Sequence, residues 1–177
     1  MRIKNIIACT FFIFLAFPLL SFSETIKYDK VKLKRAEIEL TEDRLLDVGI
    51  FIFDPNIPED IESNPLVFPE IRKAEARYIP YHLKNTLEES GFWGGVWVLP
   101  DNTKAMDLNV SGRIIKSDGY DVSIKIGVWD ITGKQWVDKI YKARVGQSSY
   151  SKRRDLTQDP YQSLFNQIAN DLQKIKS

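Results

Sequence analysis

The stretch Asp107–Val145 constrains this chain more than any other. It reads as three successive strands, DLNVSGRII, YDVSIKIGVWD and KQWVDKIYKARV, joined by SDG and ITG turns. Asp118-Gly119 between alternating runs predicts a hairpin, because a type I′ turn needs positive φ at both central residues. In the middle strand Tyr120, Val122, Ile124, Ile126 and Val128 share one face, and Asp121, Ser123 and Lys125 share the other. Side chains alternate along a strand, so one side of this sheet is apolar and the other wetter. An apolar sheet face needs a cover, and two amphipathic helices elsewhere in the chain can supply it.

The first helix is predicted from Pro69, at its first position, to about Ser90, with Ser90-Gly91 ending it. Ile71, Ala74, Tyr78, Ile79, Leu83 and Leu87 recur at three- and four-residue spacing and form its expected apolar stripe. Pro80 falls in the interior, where it deletes the bond to the Ala76 carbonyl and bends the helix, wrapping it over the sheet or exposing that carbonyl to a partner. The second helix is expected over residues 159–175. Asp159 caps it, Pro160 takes the first position, Gln162 completes a capping box, and Leu164, Phe165, Ile168, Leu172 and Ile175 form the stripe.

Two further strands are expected. Leu45–Phe53 (LLDVGIFIF) is nearly all apolar, as a central strand buried on both faces would be. Phe92–Leu99 (FWGGVWVL) is a second, with Gly94-Gly95 marking a bulge or a close approach, and at least one of Trp93 and Trp97 is expected in the core. Between the first strand and the first helix, DPNIPEDIESNPLVFPE holds four prolines and five acidic residues, which forbid a ladder or a helix. Its Ile57, Leu66, Val67 and Phe68 either dock onto a partner or fold back on their own domain. Ahead of all this, Val31, Leu33, Ile38 and Leu40 alternate with charges, the pattern of an edge strand or an arm that pairs with another subunit.

The first 23 residues read as a cleavable export signal. Arg2 and Lys4 precede the apolar run Ile6–Leu20, and the small residues Ser21 and Ser23 sit where a peptidase would cut before Glu24. The run is shorter than the roughly 20 residues a membrane span needs. Cys9 lies before most of that run, unlike a lipidated cysteine, and reads as an ordinary apolar residue. Of 177 residues, 154 then remain, carrying 23 basic and 24 acidic side chains and no cysteine. Such a balance offers no bulk attraction to nucleic acid, and membrane contact is expected to be indirect at most. The expected compartment is a bacterial periplasm.

Catalytic equipment is sparse. His82 is the only histidine, so a metal, haem or Ser-His-Asp site has almost no ligands or bases, and no phosphate-binding loop or dinucleotide fingerprint occurs. No cofactor is expected. Asp54, Glu59, Asp60 and Glu70 form the one acidic cluster to inspect for acid/base chemistry, and Asp130 beside the ITG turn lacks the ligand count of a calcium loop. Lys152-Arg153-Arg154 reads as a solvated surface, or else as a phosphate or headgroup site.

The element order, together with the segments VGIFIFDP and DLNVSGRII, resembles small α/β domains of bacterial envelope assembly. These are the periplasmic domain of the curli secretion lipoprotein, the penicillin-binding-protein activator lipoproteins, and the amino-terminal domain of the Tol-system propeller protein. The segment FPEIRKAEARYIPYHLKNTLEESGFWGGVWVLP also resembles exported proteobacterial proteins, often lipoproteins. The resemblance implies a domain that docks or scaffolds at the outer membrane, as subunits of secretion-system core complexes do, type IV machines included. It transfers no individual residue.

The expected architecture is therefore α+β, an α/β sandwich. A mixed, largely antiparallel sheet of about five strands carries two helices on one face, preceded by an arm at 24–44. The expected function is that of a non-catalytic periplasmic subunit of an outer-membrane-associated assembly, with other envelope proteins as partners in a hetero-oligomeric complex. The expected contact residues are Ile57, Leu66, Val67 and Phe68 in the proline loop, Leu33 and Ile38 in the charged strand, and Trp129 and Trp136 on the outer face of the three strands. A second core layer is the alternative account of those tryptophans. A lipid or glycan carrier and a carboxylate-based cell-wall hydrolase are the alternative functions.

Overall fold

The structure, a computed structural model, describes residues 30–59, 68–101, 104–144 and 159–176. The export signal with Cys9, the contact candidates Leu66 and Val67, Asp60, and the basic Lys152–Arg154 cluster lie outside the described residues. Five strands and two helices follow in order: β1 (Val48–Phe51), α1 (Pro69–Ser90), β2 (Val96–Leu99), β3 (Leu108–Ser117), β4 (Asp121–Asp130), β5 (Gln135–Arg144) and α2 (Gln162–Lys176). The strands form one sheet in the order β2-β1-β3-β4-β5. β1 runs parallel to both neighbours, while β3–β4 and β4–β5 are the antiparallel pairs expected from the three-strand stretch. The fold is α+β, as expected.

The even-numbered positions of β3 and β4 set the covered face. Leu108, Val110, Ile114, Val122, Ile124, Ile126 and Val128 are buried there, joined by Val48 and Ile50 of β1 and Val137, Tyr141 and Ala143 of β5. Burying a side chain of this size contributes about 1.5–3 kcal/mol. Tyr120 is the exception: it lies in the turn and is exposed. Only Gly119 has positive φ in that turn, so it is not type I′. The Asp118 carboxylate closes it instead, accepting the N–H groups of Tyr120 and Asp121 at 3.0 and 2.7 Å.

α1 begins at Pro69 and ends on Gly91 in the left-handed region, φ 70°. Its buried side is Arg72, Ala76, Ile79, Pro80, Leu83, Thr86, Leu87 and Ser90. The amino-terminal half of the expected stripe therefore faces outward, since Ile71, Ala74 and Tyr78 are exposed. Two polar contacts set this rotation. The Ala76 carbonyl, which Pro80 leaves without a helical donor, accepts the Phe53 N–H at 3.0 Å, so its partner is inside the chain. The Arg72 guanidinium is buried and lies 3.9 Å from the Glu75 carboxylate, which in turn accepts the Ser117 hydroxyl.

α2 covers the β5 side of the sheet with Leu164, Phe165, Ile168, Ala169 and Leu172; Ile175, expected in this stripe, is exposed. The helix starts later than expected, at Gln162, so Pro160 is not its first position; Asp159 closes the turn ahead of it, its carboxylate accepting the Tyr161 N–H at 2.7 Å. Gln162 does not close a capping box, because its amide donates to the Thr86 hydroxyl and the Asn166 side chain, joining α2 to α1.

Residues 30–40 form no strand, contrary to the edge-strand expectation. Asn166 donates to the Val31 carbonyl at 2.8 Å. The Asn170 amide brackets the backbone two residues on, donating to the Lys32 carbonyl and accepting the Lys34 N–H at 2.9 and 2.8 Å. These side chains give the arm the partners a neighbouring strand would have given it. β1 and β2 are also shorter than their apolar runs. Ahead of β2, Trp93 enters the core, and Gly94 and Gly95 fit against Asp47, whose carboxylate accepts the Gly95 N–H at 2.8 Å. A close approach is what the Gly-Gly pair serves.

Candidate interaction surfaces

Among the described residues the second face of the sheet carries no helix, and an aromatic strip crosses it. Trp97, Gly49, Asn109 and Trp129 stand side by side in the strand register. Gly49 has no side chain because Leu99 and Met106 occupy that space; an added Cβ would lie 2.8 Å from Leu99 and 3.0 Å from Met106. Met106 is pinned there by Asn109, which accepts the Met106 N–H at 3.1 Å and donates to its carbonyl at 2.9 Å. Phe51 flanks the strip, its ring centroid 6.0 Å from that of Trp129. Trp97 is 43% exposed, its indole lying across Gly95 so closely that a Cβ there would sit 1.7 Å from the ring.

Polar groups rim this strip. Arg113 pairs with Asp54 at 2.7 Å and Lys125 with Asp138 at 3.0 Å, both at exposed positions. An apolar centre with a paired, charged rim is the anatomy of a protein interface.

A second exposed apolar row runs along the solvent side of α1. Phe68, Ile71, Tyr78 and Tyr81 are 49–60% exposed and recur at spacings of three and seven residues. Tyr78 donates to the Asp159 carboxylate at 2.6 Å, and His82 stacks against Tyr78 with ring centroids 4.0 Å apart. α1 packs on the covered face, so this row and the aromatic strip look out from opposite sides of the domain.

The contact residues expected from sequence divide accordingly. Trp129 lies on the open face, as expected, half-buried against Phe51. Trp136 does not. A register shift between Val128 and Trp129 leaves it an extra residue in β5; it packs against the core and donates its indole N–H to Asp130 at 3.0 Å. Leu33 packs against the core from the pinned arm, whereas Ile38 is 74% exposed. Ile57 is half-buried and Phe68 exposed at the start of the α1 row. The sequence reading missed Ile71, Tyr78 and Tyr81 as surface residues and left Trp97 unassigned; alternation along Val96–Leu99 was the signal for Trp97.

The described members of the acidic cluster pair with cations rather than with each other, where partners are seen. Asp54 is bound to Arg113, and Glu70 to Lys73 at 2.8 Å. Asp130 serves its turn: one carboxylate oxygen accepts the N–H and hydroxyl of Thr132 and the Lys134 N–H, and the other accepts Trp136. These bonds, the Thr132 hydroxyl first, hold its carboxyl down at about 2. Among the described residues no group of three His, Cys, Asp or Glu side chains could hold a metal ion, and no helix is long and apolar enough to cross a membrane.

No family model and no curated protein matches the chain. Among solved structures it is similar to protein XCC0632 from Xanthomonas campestris, of family DUF330, at 8% identity and a TM-score of 0.43, over 81% of this chain and 89% of that one.

Proposed function

We propose that this chain is a non-catalytic subunit of a protein assembly at the bacterial outer membrane, working from the periplasm. One observation carries the reading: two separate apolar surfaces, the aromatic strip and the α1 row, face opposite ways on one small domain. A domain with two such surfaces can contact a different neighbour on each side, which is what a scaffold subunit in a larger complex must do. The likeness of its element order to envelope-assembly domains supports the same reading, and a secretion-system core complex is the class of machine it favours. The signal-like residues 1–23 support export.

The test is gentle detergent extraction of envelopes containing the tagged, natively expressed protein, followed by size analysis and mass spectrometry. Co-migration with outer-membrane proteins at a mass far above that of one chain is the expected result. Migration as a free monomer, with no envelope protein recovered after cross-linking, would overturn the proposal.

A further inference from the structure

We propose that the cleft between the Glu42–Arg44 turn and the carboxyl end of α2 binds the anionic head of an amphiphile, a phosphate or carboxylate attached to an apolar body. The cleft has a volume of about 270 Å³ and is lined by Leu40, Arg44, Phe92, Gln173 and Lys176. Two of the five are cations, two are apolar and none is acidic. The Arg44 guanidinium makes no ion pair among the described residues, and Glu42 and Asp43 of the same turn do not line the cleft.

Lys176 is more constrained. Its ammonium donates to the Phe92 carbonyl and sits 5.0 Å from the centre of the Trp93 ring, whose buried indole N–H has no partner among the described residues. An ammonium has three N–H groups, so Lys176 keeps donors to spare. Burial and the Arg44 charge both push its pKa down, and the two cations line the same cleft. An oxyanion placed between them would relieve that repulsion with charge-assisted hydrogen bonds, and Leu40 and Phe92 would take the carbon atoms next to it. The site is independent of the two docking surfaces.

Octyl phosphate, kept below its micelle concentration, is the probe. Binding to the purified protein is read by thermal shift and by tryptophan fluorescence, with Trp93→Phe as the control that assigns the change to Trp93. Saturable stabilisation is expected, with Arg44→Gln and Lys176→Gln each weakening binding by about tenfold, as loss of one charge-assisted contact implies. The exposed Lys142→Gln should change nothing. Sedimentation with phosphatidylglycerol vesicles then separates the sources: vesicle binding lost in the double variant assigns a membrane lipid, and octyl phosphate binding without it assigns a soluble amphiphile. An equal shift with octyl glucoside or with inorganic phosphate alone, no shift at all, or variants that bind like the wild type would each overturn the proposal.

Discussion

The two faces of the sheet are made from the same strands and do different work. On the covered face apolar side chains pack on one another: Ile124 and Ile126 are fully buried in the core, and the buried Arg72 of α1 lies beside Glu75 at its edge. On the open face the same strands hold ion pairs, glycines and a few large aromatic side chains, with Trp97 left 43% exposed. The first pattern maximises area removed from water and so gives stability. The second keeps aromatic area on a stable domain in contact with water, which is where binding anchors are found. The contrast teaches that the strand positions facing the open side are the informative ones for function.

The contrast breaks if the faces respond alike to truncation. Leu172→Ala or Ile124→Ala should lower stability by about 2–5 kcal/mol in urea unfolding, because each empties a closed core. Asn170→Ala should cost about 0.5–1.5 kcal/mol by removing the two hydrogen bonds that hold the arm to α2, and limited proteolysis should then cut near Lys32 and Lys34 first. Trp97→Ala should cost less than either core truncation, about 1 kcal/mol, since the side chain is 43% exposed, while removing partner recovery from envelopes.

The smallest effect expected is a pH dependence. The Asp130 carboxyl is held below its ordinary value by the Thr132 hydroxyl and the Trp136 indole, and Asp121 is held lower still by Arg144 and then Lys116. A depressed carboxyl contributes stability above its unfolded pKa and loses it as the pH falls through the folded one. Thermal stability should therefore fall from about pH 4 downward, and Asp130→Asn should flatten the upper part of that fall. An unchanged profile in the variant would show that the turn's hydrogen bonds do not depend on the carboxylate.

Much of the covered face was legible in the sequence because it follows period rules. The alternation in β4 and the Pro69 and Gly91 boundaries of α1 needed only local stereochemistry. The open face and its surroundings were less legible, because tertiary contacts decided them. Spacing predicted one stripe running through Ile71, Ala74 and Tyr78, but the contacts of the Ala76 carbonyl and Arg72 turn that half of α1 outward. The alternating charges at 31–40 fit a strand, but Asn166 and Asn170, about 135 residues away, took the hydrogen bonds a strand would have made. Trp136 was misplaced because a bulge between Val128 and Trp129 inverts the parity that alternation assumes.

Site-directed photo-cross-linking in intact envelopes tests the central claim most directly. A photoreactive residue is placed in turn at Trp97, Trp129, Ile71 and Tyr78, with exposed Thr132 in the Asp130 turn as the control. The account predicts discrete adducts with envelope proteins from the four surface positions, different between the sheet pair and the helix pair, and none from position 132. Adduct yields at all four positions no higher than at Thr132 would contradict it.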